Sequence, residues 1–281
     1  MSVDTFDRLD PTFRHIQIEL NKHLTKIEEI FEADAIVIYS AIDYDMITRF
    51  KSSVDLLENR KKRLVIILNT LGGLVEVVEN IVGVTRHFYE EVYFLIPDCA
   101  MSAGTILAMS GDKIFMSYSS CLGPIDPQVV KEGKLISALA YINQYESLLE
   151  KAETGQVSSV EFALINKLDL GELHEFQQAR ELSIELLSKW LTSYHFKNWK
   201  VNQEQKEQKS KEIANSLSDN KLWHSHSRMI TINVLNELGL KIEEIEKIEG
   251  LFKPLNNYTI LLGDFISKIN NTSFISSREF F

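Results

Sequence analysis

Cysteine is nearly missing from this chain, with only Cys99 and Cys121 in 281 residues. Two thiols build no disulfide framework, and a reducing compartment is the simpler setting. Metal-ligand spacing is missing too. There is no Cys pair and no His-Glu-x-x-His, and "WHSHS" (223–227) holds two histidines without a nearby third ligand, so no metal is expected. No apolar run approaches the ~18 residues of a membrane helix, and the start "MSVDTFDRLD" lacks the basic residues and apolar core of a signal peptide. The expectation is a cytoplasmic protein with no membrane span. Basic charge is in deficit, 30 Lys+Arg against 40 Asp+Glu for a formal net charge of −10, which disfavours a nucleic-acid partner. Neither Gly-x-Gly-x-x-Gly nor a lysine-containing phosphate loop occurs, and no cofactor is expected.

What is present is enough apolar material, 44% of residues, to bury a sizeable core. Four short runs rich in Val, Ile, Phe and Tyr read as buried strands: "ADAIVIYS" (33–40), "RLVIILN" (63–69), "EVYFLIP" (91–97) and "KIFMS" (113–117). Stretches with helical apolar spacing separate the first from the second and the second from the third. That alternation predicts βα units and a largely parallel sheet. Ahead of it, residues 13–31 read as an amphipathic helix with His15 and His23 on a solvated face. Beyond about residue 135 the spacing turns helical, in 135–153, 159–168 and 173–196, while the polar "NQEQKEQKSKEIANSL" reads as an exposed helix or a loose connection. The predicted organisation is an N-terminal helix (1–30), an α/β core (31–135), a helical insertion or extension (136–220) and a C-terminal segment (221–281).

Two strand ends carry the candidate chemistry. "ILNTLGGLVEVV" runs a buried strand through Gly72-Gly73 straight into a helix. Such a pair permits a tight turn and leaves amide N–H groups free for an anion or oxyanion, although taken alone a simple turn is the plainer reading. "DCAMSAGT" (98–105) puts Ser102 at the next strand-to-helix seam, the end of an α/β sheet where ligands bind. A helix N-cap is the competing use of that serine. Cys99 reads as a packing residue rather than a thiol nucleophile, since no base adjoins it.

Taken in order, "NTLGG", "AMSAGT", "GDKIFMSYSSCLGPIDPQ" and the later "WHSHSRMI…LNELGLKI" resemble the Clp-protease and signal-peptide-peptidase group, within it most closely the serine dehydrogenase proteinase family. The resemblance covers roughly residues 30–130 and 221–242. It implies an α/β fold of the Clp/crotonase-like kind, stacked ββα units with a helical C-terminal extension, and a serine protease that forms homo-oligomers. It further implies Ser102 as nucleophile, Asp126 as the acid and His226 as the base, with the amides of Gly73 and Ala103 as oxyanion donors, and a C-terminal segment that completes the site. A Clp peptidase would carry its histidine near "IDPQ"; none of the seven histidines lies there, so a distant one must fold back. His224 is the rival base.

Several alternatives stay open on the sequence. A serine–lysine dyad would draw on Lys113, Lys131, Lys134, Lys151 or Lys167. A non-catalytic scaffold, or an acyl-CoA enzyme using paired amides without an activated serine, would keep the fold. The partner expected is a protein or peptide substrate. "SALAYINQYESLL" and "LSIELLSKWLTSYHF" are the stretches expected at a subunit interface, although an internal helical layer fits their spacing equally well.

Overall fold

The computed structural model describes residues 11–131, 134–165, 169–269 and 273–279. The first half runs α1 (Pro11–Phe31), β1 (Asp34–Tyr39), α2 (Tyr44–Asp55), β2 (Arg63–Asn69), α3 (Val75–Phe88), β3 (Glu91–Ile96), β4 (Cys99–Ala100), α4 (Ala103–Ala108), β5 (Lys113–Met116) and β6 (Cys121–Leu122). All four predicted strands form where their apolar runs stand, and β1, β2, β3 and β5 pair in parallel. The short β4 and β6 pair beside the main sheet, and Thr70 bridges to Ala100. β3 and β5 thus continue into the brief strands β4 and β6, and β1 and β2 into single bridges at Ile42 and Thr70, giving stacked ββα turns.

Burial on both faces explains why these strands read as continuous apolar runs. Successive side chains alternate. Ile36, Ile38, Leu64, Ile66, Leu68, Phe94 and Ile96 pack with residues of α2, α3 and α4. Ala35, Val37, Val65, Ile67 and Leu95 pack with residues of α1 on the other face. Within α1, His15 is exposed as expected, whereas His23 is half-buried with its Nδ1 unpartnered, and burial lowers its pKa.

A hairpin of β7 (Gln128–Lys131) and β8 (Lys134–Ser137) precedes the helices α5 (Ala138–Glu153), α6 (Ser159–Ile165) and α7 (Leu170–Trp190), the last continuing as a π-turn over Leu191–His195. The polar stretch is the helix α8 (Gln203–Ser218). A capping box fixes its start: Asn202 Oδ1 accepts from Gln205 N–H at 2.8 Å and Gln205 Oε1 from Asn202 N–H at 3.3 Å. Neither stretch expected at an interface is mainly free. Leu186, Leu187, Trp190 and Leu191 are buried in the main core, and Ala138, Leu139 and Ile142 pack against Leu173 and Phe176. The internal layer accounts for their spacing.

After α9 (Asn220–Trp223) and α10 (Ile232–Glu237), the chain returns to the sheet with β9 (Ile242–Glu244), then α11 (Phe252–Lys268) and β10 (Phe274–Ser276). The full order is β10-β1-β2-β3-β5-β9, with β10 antiparallel. Neither edge strand was predicted, because three residues span barely one period of alternation. The helix α11 packs on α1 and shares its core. Among the described residues no helix is long and apolar enough to cross a membrane.

His195 closes the π-turn with its Nε2 accepting from Lys241 N–H at 3.2 Å and its Nδ1 buried without a partner. Burial pushes its pKa down to about 4. The unfolded chain, with an ordinary imidazole near 6.5, therefore binds more protons between those values, and stability falls as pH drops through that window. His195→Gln is expected to flatten this part of the curve in urea unfolding followed from pH 7 to 4. A curve of unchanged slope would show that His195 does not set it.

Candidate active site

The carboxyl ends of β1, β2, β3 and β5 meet at one side of the sheet, where backbone geometry shapes the site before any side chain acts. Ile42, after β1, donates its N–H to Gly72 O at 2.9 Å and accepts from Leu74 N–H at 2.8 Å. In this parallel bridge the residue between, Gly73, has its own N–H turned away from Ile42. Gly72 and Gly73 hold φ of +102° and +150°. A Cβ at Gly72 would lie 2.7 Å from Met101 O and 2.8 Å from Ser102 Cβ, so the turn after β2 lies directly against the one after β3. Among the described residues neither Gly73 N–H nor Ala103 N–H is taken by a hydrogen bond.

Ser102 occupies the first position before α4, at φ 52° and ψ −119°, and its side chain makes no capping bond. The N-cap use is thereby excluded. A non-glycine residue held in such a conformation costs on the order of 1–3 kcal/mol and persists only where its surroundings impose it. Thr105, one turn along, braces the segments on either side. Its buried hydroxyl lies 2.8 Å from both Ala100 O and Gly123 O and accepts from Gly123 N–H at 3.0 Å. That clamp ties the serine turn to the segment leading to Asp126.

Asp126 is buried at 1% exposure. Its Oδ1 lies 2.8 Å from His226 Nδ1, across 100 positions of sequence, and its Oδ2 accepts from Gln128 Nε2–H at 3.0 Å and the Ser137 hydroxyl at 2.9 Å. Two anchors fold the histidine segment back. Trp223 is buried and donates its indole N–H to Ser216 O at 2.7 Å, and Ile230 exchanges both backbone bonds with Leu122 of β6. Between them the loop is largely exposed, and His226 is half-buried. With Nδ1–H donated to the carboxylate, Nε2 is left as proton acceptor.

Gly73, Ser102 and His226 line one cavity of about 580 Å³, walled by Leu74, Ile106 and, from α7, Leu182. Among the described residues no hydrogen bond joins Ser102 to His226. His224 is not brought in; it ends α9 at φ 60°, exposed. Nor is any lysine among those lining residues. Lys113 starts β5 at the far end of the strand, 5.5 Å over the Tyr93 ring, and Lys151 pairs with Glu161 at 2.6 Å. Lys167 and the side chains of Lys131 and Lys134 lie outside the described residues. Cys99 is half-buried, its thiol pushed up by burial. Among the described residues no cluster of side chains could hold a metal. A larger cavity of about 740 Å³ lies at the opposite, amino-terminal ends of the strands, lined by charged residues such as Glu28, Lys61 and Arg278. Sequence reasoning missed Thr105 as a clamp and the Ser137 hydroxyl. Gln128 lay in the quoted "IDPQ", with nothing to mark its target.

Comparison with known proteins gives these features a context. Two uncharacterized proteins of Methanocaldococcus jannaschii are similar. One is 24% identical over 247 residues, covering 84% of this chain and 76% of its own length; the other is 27% identical over 177 residues, covering 63% and 51%. Among solved structures, a mutant of the 1510-N membrane-bound stomatin-specific protease aligns with 78% of this chain and 82% of its own at 17% identity and a TM-score of 0.44. ClpP1 from Listeria monocytogenes aligns with 81% of this chain and 98% of its own at 16% identity and a TM-score of 0.44. The model of the ClpP-like SDH-type serine proteinases matches residues 24–259, a span holding both glycines, Ser102, Asp126 and His226, and the chain belongs to that family.

Proposed function

We propose that the chain is a serine endopeptidase working through a Ser102–Asp126–His226 triad, with the amides of Gly73 and Ala103 as its oxyanion hole. The observation that carries this reading is the 2.8 Å contact between His226 Nδ1 and the buried Asp126, at a cavity that Ser102 also lines. In this mechanism Ser102 Oγ attacks the scissile carbonyl carbon while His226 Nε2 takes its proton. Asp126 holds the reactive tautomer and stabilises the imidazolium. The carbonyl oxygen, now negative, receives the two unused N–H groups, and donors fixed in advance are the largest single aid to such a step. His226 then returns the proton to the departing amine, and water hydrolyses the acyl-enzyme by the same relay. The Ser102 hydroxyl has to turn toward Nε2 when substrate binds, since catalytic hydrogen bonds often tighten only in the complex.

The substrate under this reading is a protein or peptide chain, laid along an open cavity with apolar walls. We also read the protein as a cytoplasmic homo-oligomer. Two free thiols support the compartment. The apolar side chains that α5, α6 and α7 leave exposed, Leu149, Val160, Phe162 and Leu170, support assembly. Light scattering at micromolar concentration is expected to give a multiple of the 32.3 kDa chain mass; a monomer mass throughout would reject assembly.

A fluorophosphonate probe is expected to form its adduct on Ser102, and Ser102→Ala to abolish both labelling and proteolysis with the fold intact. Labelling that persists in the alanine variant would identify a different nucleophile.

His226→Ala is expected to cost about three orders of magnitude or more, and Asp126→Asn roughly 10⁴-fold, while His224→Ala changes little. Steady-state rates of the three variants decide the base. A near-wild-type rate in His226→Ala would reject the triad and leave a lysine as the base to seek.

A further inference from the structure

Ser137 and Gln128 reach Asp126 in a way that folding alone does not require. Ser137 directly precedes α5, where a serine ordinarily accepts a bond from the backbone N–H of the first turn. Its side chain makes no such bond. The hydroxyl donates instead to Asp126 Oδ2 at 2.9 Å, eleven positions back in the chain. Gln128 donates to the same oxygen at 3.0 Å. The two are register partners in the first rung of the β7–β8 hairpin, so they project from the same face of it. The rung is fixed in turn by Ala138 N–H donating to Pro127 O at 2.9 Å. One carboxylate oxygen thus takes two donors from a single hairpin rung, while the other faces His226.

We infer that Gln128 and Ser137 are positioning residues for the reaction: the closing rung of the hairpin holds Oδ2 of Asp126 so that Oδ1 stays aimed at His226 Nδ1. The inference rests on the triad reading above. A carboxylate can turn about its Cα–Cβ and Cβ–Cγ bonds, and a buried one with a free oxygen would swing to satisfy it. Two donors on Oδ2 remove that freedom and supply charge-assisted bonds, which are stronger than neutral ones. Neither residue touches the reacting atoms. Their effect passes through the carboxylate to the imidazole, and so falls on the chemical step; Gln128 also lines the cavity, whereas Ser137 does not.

Inactivation of the full chain by a fluorophosphonate separates these contributions, because its maximal rate (kinact) reports the attack by Ser102 and its half-saturating concentration (KI) reports binding. Ser137→Ala and Gln128→Leu are each expected to lower kinact by about tenfold to a hundredfold, as loss of a hydrogen bond to a charged group implies, with KI changed less than about twofold in Ser137→Ala, whose side chain does not line the cavity. Ser137→Thr, which keeps the hydroxyl, should restore the rate. In an Asp126→Ala background the same two substitutions should have no further effect, since no carboxylate is left to hold. Wild-type kinact in both single variants, alongside strongly impaired Asp126→Asn and His226→Ala, would overturn the positioning role and leave the triad standing. Wild-type kinact in Asp126→Asn would overturn both. Losses that persist undiminished in the Asp126→Ala background would also reject the role, as they would come from the hairpin's own folding. If Ser137→Ala fails to fold, the half-buried Gln128 supports the same comparison alone.

Discussion

A parallel sheet buried on both faces has only its strand ends left for chemistry. The middle strands of this sheet are closed above by α2, α3 and α4 and below by α1 and α11. Every group in the candidate site is accordingly a strand-end residue, or one drawn there by a bond to a strand end. The turn after β1 aligns Gly73, the turn after β2 lies against Ser102, and the segment after β6 carries Asp126. Only His226 arrives from elsewhere, and it does so because Ile230 pairs with Leu122 of β6.

The site is also a place where ordinary local satisfaction is given up. Ser102 and Ser137 both stand at the first position before a helix, and neither caps it. A lost cap costs about 1 kcal/mol. Ser102 adds the strain of its positive φ. Gly72 and Gly73 forgo side chains because a Cβ would collide with the neighbouring turn or with Ile42. The core can carry such losses because burial of the strands on both sides is worth far more, about 0.8 kcal/mol for each CH₂ removed from water.

Legibility in the sequence followed the length and burial of each element. The four main strands were readable because double burial makes each a continuous apolar run; β9 and β10, three residues each, left no period to detect. Ser102 and the glycine pair could be singled out by composition, as small residues at strand-to-helix seams. Residue types alone could not pair Asp126 with His226, 100 positions away. Both came from resemblance to a family, and the structure now puts them 2.8 Å apart. The Ser137 hydroxyl was unreadable, because a serine before a helix looks the same whether or not it caps.

The late return of the chain to the sheet has a consequence for biosynthesis. Strand β1 is flanked by β2 on one side and by β10 (Phe274–Ser276) on the other, and β5 is flanked by β9 (Ile242–Glu244). A ribosome makes β1 and β5 long before either cover strand. Until residues 242–276 emerge, the nascent sheet has two bare edges, each a row of unpaired backbone groups of the kind that recruits other strands. Arg278, bonded to Glu28 at 2.9 Å and 3.5 Å from the buried Asp34 at the start of β1, joins only after that. Shortening this protein from its carboxyl side should therefore bring aggregation before it brings loss of the inner strands.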